Sequence, residues 1–330
     1  MPGENAAGGE DDGSRAVIDV HHHFCAPAWR EWAEKQGLVN PKALPPWARW
    51  DAETALGLMD RAGIATAVLK PMLPARYESS AQLREAVTVT LRAAVEACEA
   101  HPGRFFFHAP LFLDDLEVSS WTLRRGLDEL GAVGVNVTAN YGGVYLGDPS
   151  YDGIFAELDE RSAVVDTHPH NLPGGPPGAV TVPGLPNFLC DFLLDTTRAA
   201  ANMIRTRTLD RFPNLSVILP HGGGFLPQIA TRMEAFAHTF DPPVEPAAVR
   251  DHLRRFYYDT AGPLSPAGTL LATVSPDRIL FGSDWPACPA PVVTDVAVPA
   301  LAADPAFTPA LRRAVNRENA LRLMPRLVRV

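Results

Sequence analysis

Short apolar runs recur along this chain, and the stretch after each run repeats its apolar residues at helical spacing. Eight runs read as buried strands: 16–20, 64–70, 104–109, 132–137, 163–167, 215–219, 256–260 and 278–281. Aliphatic and β-branched residues fill them without strict polar alternation, as in a sheet covered on both faces. Helical spacing marks 52–61, 80–100, 117–130, 151–161, 192–211, 226–237, 265–273 and 292–302. A last helical segment, 309–323, is expected to pack across the outside. Eight alternations of strand and helix predict an α/β fold, a parallel sheet closed into a TIM (β/α)8 barrel. Residues 15–330 read as one domain of that kind, and the acidic, glycine-rich residues 1–14 as a disordered tail.

Two connections are too long for plain turns. Residues 24–51 follow the first strand and hold four of the six tryptophans, Trp29, Trp32, Trp47 and Trp50. Residues 171–190 follow the fifth strand and are rich in Pro and Gly. Loop insertions after strands 1 and 5 lie over the C-terminal mouth of a barrel, where such folds keep their chemistry.

The first strand runs into His21-His22-His23. Side chains alternate along a strand, so His21 and His23 share one side and His22 takes the other. His168 ends the fifth strand, His221 the sixth and Asp284 the eighth. A closed barrel converges these groups at one mouth. Imidazoles gathered around a buried carboxylate are poorly solvated, and a divalent cation removes that penalty. A borderline metal such as zinc suits imidazole with carboxylate and leaves a position open for chemistry. The expected ligands are His21, His23, His168 and Asp284. His221 is the expected acid–base or substrate-polarising group, beside a glycine run that lets the backbone approach a ligand. Two-metal barrels of this type usually bridge the ions with a modified lysine on strand four. The only lysines, Lys35, Lys42 and Lys70, lie elsewhere, so one metal ion is expected.

Composition removes several classes of function. The 330 residues carry a formal charge of −9 and no basic stripe, which argues against nucleic acid as a partner. No apolar run is long enough to span a membrane. Cys25, Cys98, Cys190 and Cys288 are far apart, which fits a reduced cytoplasmic protein better than a disulfide framework.

Asp19-x-His21-x-His23, His168-Pro169, His221-Gly222-Gly223-Gly224 and Gly282-Ser283-Asp284-Trp285-Pro286 resemble the amidohydrolase superfamily. The likeness is to its branch of aminocarboxymuconate-semialdehyde and gamma-resorcylate decarboxylases. Tyr145-Leu146-Gly147-Asp148-Pro149 and Asp195-Thr196-Thr197-Arg198 resemble 6-methylsalicylate decarboxylase-like members. The likeness runs from about Val17 to Leu323 and departs after His170, where Asn171 opens the proline–glycine loop. It implies a metal-dependent TIM barrel, commonly a homodimer, with zinc or manganese. Its ligands match His21, His23, His168 and Asp284, and its catalytic histidine matches His221.

The expected reaction is non-oxidative decarboxylation of a small aromatic or enoic carboxylic acid, an ortho-hydroxybenzoate above all. Asp284 or His221 supplies the proton to the carbon bearing the carboxylate. Phe24, Trp47, Phe188 and Trp285 are candidates to sandwich a ring, and Arg49 and Arg198 to neutralise an acid group. The same constellation suits hydrolysis of an ester, lactone or amide by metal-activated water. A metal-loaded barrel kept as a binding scaffold is the third reading.

Overall fold

The computed structural model of the chain describes residues 17–73, 76–170, 173, 175, 178–262 and 267–328. The tail 1–14, Ala16, Asn171 and residues 265–266 lie outside the described residues. The strands, in chain order, are β1 (Val17–Phe24), β2 (Ile64–Pro71), β3 (Phe105–Pro110) and β4 (Gly134–Thr138). A short hairpin follows, β5 (Asn140–Tyr141) with β6 (Val144–Tyr145). Then come β7 (Val164–His168), β8 (Ser216–Leu219), β9 (Tyr257–Asp259) and β10 (Ile279–Leu280). The main sheet runs β1-β2-β3-β4-β7-β8-β9-β10, every pair parallel. The segment after β10 closes it onto β1. Val20 N donates to Phe281 O at 2.9 Å, Asp284 N to His21 O at 2.9 Å and His23 N to Trp285 O at 2.8 Å. All eight expected strands are present in a (β/α)8 barrel, and β1 extends past Val20 to carry the three histidines.

Local chemistry sets the surrounding helices. Ala52–Ala62 begins at Asp51, whose side chain accepts from Thr54 N at 2.8 Å, and stops at Gly63 with φ 71°. Its stripe of Ala55, Leu58, Met59 and Ala62 is buried. Three departures from the periodicity stand out. Helix Pro27–Lys35 occupies the first long connection, and helix Pro246–Arg255 lies outside the eight helical segments marked by spacing. The expected 117–130 helix is Leu116–Leu123 followed by a π turn over Arg124–Glu129. The expected 192–211 helix breaks into Asp191–Arg205 and Thr208–Arg211 at Arg207, whose φ is 54°. Among the described residues no helix is long and apolar enough to cross a membrane.

The barrel interior is layered. Ile18, Val20, Val68, Val164, Ile218 and Leu280 fill its lower part with Phe106 and Tyr257, and Ala320, Met324 and Leu327 close it from below. Two residues further along their strands stand Lys70, His108, Asp166 and Asp259, all fully buried. A charged layer thus separates the apolar plug from the rim.

Candidate active site

Val20 and His21 both serve the barrel interior, against strict alternation. Ile18 and Val20 belong to the lower apolar cluster, which by alternation would bring His22 inward. The pairing of β1 with β2 slips between Asp19 and His22, and this bulge re-aims the strand. His21 and His23 therefore share the interior, with Nε2 atoms 3.3 Å apart. His22 turns outward, its Nδ1 3.1 Å from Asp19 Oδ2 and its Nε2 accepting from Trp50 Nε1 at 3.3 Å. Asp19 also accepts from Ser283 N at 2.9 Å and Ser283 Oγ at 2.6 Å, which ties β1 to the loop carrying Asp284.

His21, His23, His168 and Asp284 meet at the C-terminal rim, their ligating atoms all within 4.8 Å of one another. Asp284 Oδ1 lies 3.3 Å from His21 Nε2 and 2.9 Å from His23 Nε2. Ligands about 2.1 Å from a tetrahedral ion sit about 3.4 Å from each other, so this spacing fits a divalent cation. Two of the imidazoles are oriented from behind. His21 Nδ1 donates to Asp259 Oδ2 at 2.7 Å, and His168 Nδ1 to the Pro169 carbonyl at 2.7 Å. Both bonds place the proton on Nδ1 and leave the Nε2 lone pair for an ion.

Protonation favours the same state at three of the four groups. Burial pushes His23 down to about 4 against the pull of Asp284. Burial, then the neighbouring His23 and Lys70, hold His168 well below the ordinary imidazole value. Burial opposes ionisation of Asp284, but the facing His221 and the hydrogen bond from His23 overcome it and keep the carboxyl well below its usual range. Asp259 is likewise brought to about 2 by the charge and hydrogen bond of His21 despite its burial. Neutral His23 and His168 beside an ionised Asp284 are what a cation binds. His21 differs: burial and Lys70 push it down, but Asp259 and Asp284 outweigh them and raise it, so this imidazole gives up a proton when an ion binds.

His221 and Asp284 sit on sharp turns after β8 and β10. Both are non-glycine residues in the left-handed region, φ 54° and 61°. Such backbone costs roughly 1–3 kcal/mol and persists only where the surroundings impose it. Here His221 N donates to Asp259 Oδ1 at 2.9 Å. Gly222, Gly223 and Gly224 follow at φ 63°, 79° and 65°. A Cβ on Gly224 would lie 2.2 Å from Leu193 O. The glycines serve the turn and its seat on helix Asp191–Arg205, so the expected close approach is to protein backbone. The turn aims His221 Nε2 at Asp284 Oδ2, 3.6 Å away.

The expected substrate contacts divide. Trp47 stands at the site, its ring centroid 6.3 Å from His23. Phe24 and Trp285 require correction, because both face the outer side of β1. Phe24 alternates away from His23 and is fully buried against Trp50, centroids 4.8 Å apart. Trp285 is buried with its ring 4.9 Å from the outward His22. Phe188 is 60% exposed on the turn Asn187–Leu189. Arg49 is exposed and donates to Leu44 O at 3.2 Å. Arg198 is exposed and lines an open groove of about 530 Å³ with Tyr145 and Asn202. None of these three makes a hydrogen bond or ion pair with the cluster.

Sequence reasoning missed four contributors. Phe192 places its ring 6.2 Å from His168. Asp259 orients both His21 and His221. Lys70 Nζ lies 2.9 Å from Asp166 Oδ1, donates to Thr167 O at 3.2 Å and stands 3.4 Å from His21 Nδ1. Asp166 Oδ2 in turn lies 3.2 Å from His108 Nδ1. Lys70 and Asp259 lie within one residue of their strand ends, close to the signal that picked out His168.

Residues 18–326 match the amidohydrolase family model, and the chain belongs to that family. A 6-methylsalicylic acid decarboxylase from Aspergillus aculeatus is 30% identical over 327 residues, 94% of this chain and 97% of that one. A crystal structure of an amidohydrolase II superposes with TM-score 0.83 at 28% identity, covering 94% of this chain and 100% of the other. The structure of 2,6-dihydroxybenzoate decarboxylase with 2,6-dihydroxybenzoate gives TM-score 0.78 at 25% identity, covering 94% and 99%.

Proposed function

We propose that this chain is a metal-dependent carboxy-lyase that removes CO2, without an oxidant, from a small aromatic carboxylic acid, an ortho-hydroxybenzoate being the best-suited substrate. One observation carries the reading. His21, His23, His168 and Asp284 bring their ligating atoms within 4.8 Å at one rim, and His221 faces Asp284 from a separate turn at 3.6 Å. Three imidazoles and a carboxylate would hold one divalent ion, zinc or manganese. When bound, that ion supplies Lewis acidity toward a carboxylate and its ortho oxygen.

The chain's own groups do the rest. Trp47, on the turn Pro46–Ala48, and Phe192, in the first turn of helix Asp191–Arg205, flank the ring and exclude water from it. Asp284 Oδ2 and His221 Nε2 carry between them the proton needed at the carbon bearing the carboxylate. Its transfer forms the new C–H bond. The electrons of the breaking C–C bond then return to the ring, and CO2 leaves. The activities named for the relatives favour this chemistry over hydrolysis. Residues 15–330 act as one cytoplasmic domain and pair as a homodimer. The exposed Val182, Phe188 and Leu189 offer apolar surface for a second copy, and the −9 charge disfavours nucleic acid.

The test is incubation of manganese- or zinc-loaded protein with 6-methylsalicylate, 2,6-dihydroxybenzoate and 2-hydroxybenzoate in deuterated water. The expected result is CO2 release with one deuterium at the vacated ring carbon. Turnover of an ester panel with no decarboxylation of any of the three acids would overturn the proposal.

A further inference from the structure

We infer that Asp195 is a positioning residue for the metal centre, acting on His168 through the peptide bond that joins Pro169 to His170. The inference rests on the ligand set proposed above. The Pro169 carbonyl and the His170 N–H belong to one planar amide. At one end the carbonyl accepts from His168 Nδ1 at 2.7 Å, and at the other the N–H donates to Asp195 Oδ2 at 2.8 Å. Asp195 is fully buried on helix Asp191–Arg205. It stands behind His168 as Asp259 stands behind His21, with one amide interposed.

A carboxylate at the N–H end polarises the amide and strengthens its carbonyl as an acceptor. The carbonyl then keeps the His168 proton on Nδ1 and fixes the ring, so that Nε2 is presented to the ion. The second oxygen of Asp195 is engaged elsewhere. Oδ1 accepts from Asn140 Nδ2 at 2.9 Å and from Tyr145 OH at 2.8 Å, both on the β5–β6 hairpin. Those bonds set the rotation of the carboxylate and leave Oδ2 for the peptide.

The arrangement gives the Asp195-Thr196-Thr197-Arg198 segment a physical role. Two residues on, Thr197 Oγ1 accepts from Phe225 N at 2.9 Å, at the end of the turn that carries His221. One helix therefore indexes the histidine that ends β7 and the one that follows β8.

The experiment titrates metal-free protein with Mn²⁺ against a chelating indicator and follows thermal melting of the same samples. Asp195→Asn keeps the size and removes the charge. It should weaken Mn²⁺ binding about 10–100-fold, the range for losing a carboxylate behind a ligating histidine. Tyr145→Phe removes a donor to Oδ1 but leaves the amide bond, and should change affinity less than about threefold. Asp195→Ser is the second neutral variant should Asp195→Asn not fold. If the neutral variants and Tyr145→Phe weaken binding alike, or in proportion to their loss of melting temperature, Asp195 is only a hairpin anchor and the relay is refuted. If His168→Ala binds Mn²⁺ as the native chain does, the ligand set itself has failed, a result separate from the first.

Discussion

Replacing Asp259 with asparagine should cripple the cation site while leaving the barrel folded. The reason lies in three bonds. Asp259 Oδ1 accepts from His221 N at 2.9 Å and Ala261 N at 3.0 Å, and Oδ2 accepts from His21 Nδ1 at 2.7 Å. Asparagine has one carbonyl oxygen, and it must stay with the two backbone donors. Flipping the amide would set its NH2 against both of them, at about 1–3 kcal/mol for each unsatisfied buried group. The NH2 then faces His21 Nδ1, and the imidazole can satisfy it only by moving its own proton to Nε2. That is the atom aimed at the ion. Restoring the ligating tautomer would leave two donors face to face. Loss of such a partner weakens metal binding about 10–100-fold, or about 1.4–2.7 kcal/mol. Competition against a chelating indicator reads the affinity, and melting of the metal-free protein reads the fold. Native affinity in a folded Asp259→Asn protein would refute the claim that Asp259 sets the tautomer of His21.

Three further outcomes follow from the same geometry. His221→Asn should lower kcat on the accepted acid by about 10²–10⁴ with metal content unchanged, because His221 faces Asp284 and is not among the four converging ligands; loss of the ion would make it a ligand instead. Lys70→Met leaves Asp166 buried beside His108 alone and should cost about 3–5 kcal/mol in urea unfolding, and Lys70→Met with Asp166→Asn should recover most of it; an unchanged midpoint in the single variant would contradict the ion pair. The folded value of about 4 for His23 lies below its ordinary 6.5, so the unfolded chain binds more protons between them and stability of the metal-free protein rises with pH across that window. His23 alone accounts for up to about 3 kcal/mol, His168 adds in the same sense, and His21, whose value is raised, opposes. Urea titrations at about pH 5 and about pH 7.5 measure the sum, and equal stabilities would contradict it.

The strand ends made the site legible. Apolar runs fixed where each strand stops, and His168, His221 and Asp284 stand at those stops, so one closed sheet was enough to converge them with His21 and His23. The faces were harder to read. A bulge in β1 changes the phase of the pleat, and periodicity alone cannot register one inserted residue. The phase decides which aromatic residues reach the mouth, which is why Phe24 and Trp285 fell behind the wall and Trp47 did not. Lys70, Asp166 and Asp259 escaped because a buried charge reads as a surface charge until its partner, far away in sequence, is known. The helices Pro27–Lys35 and Pro246–Arg255 did carry the signature of proline in the first turn. In the first, the tryptophan- and proline-rich connection masked it; the second lay outside the marked segments.

The number of ions the chain takes up, and the residues that hold them, decide whether the rim is a single-ion site. Elemental analysis of protein loaded with Mn²⁺ or Zn²⁺ and then desalted should find one ion per native chain, and close to none in His23→Ala or Asp284→Asn. Two ions per native chain, or one ion retained in both variants, would contradict a single ion held by these residues.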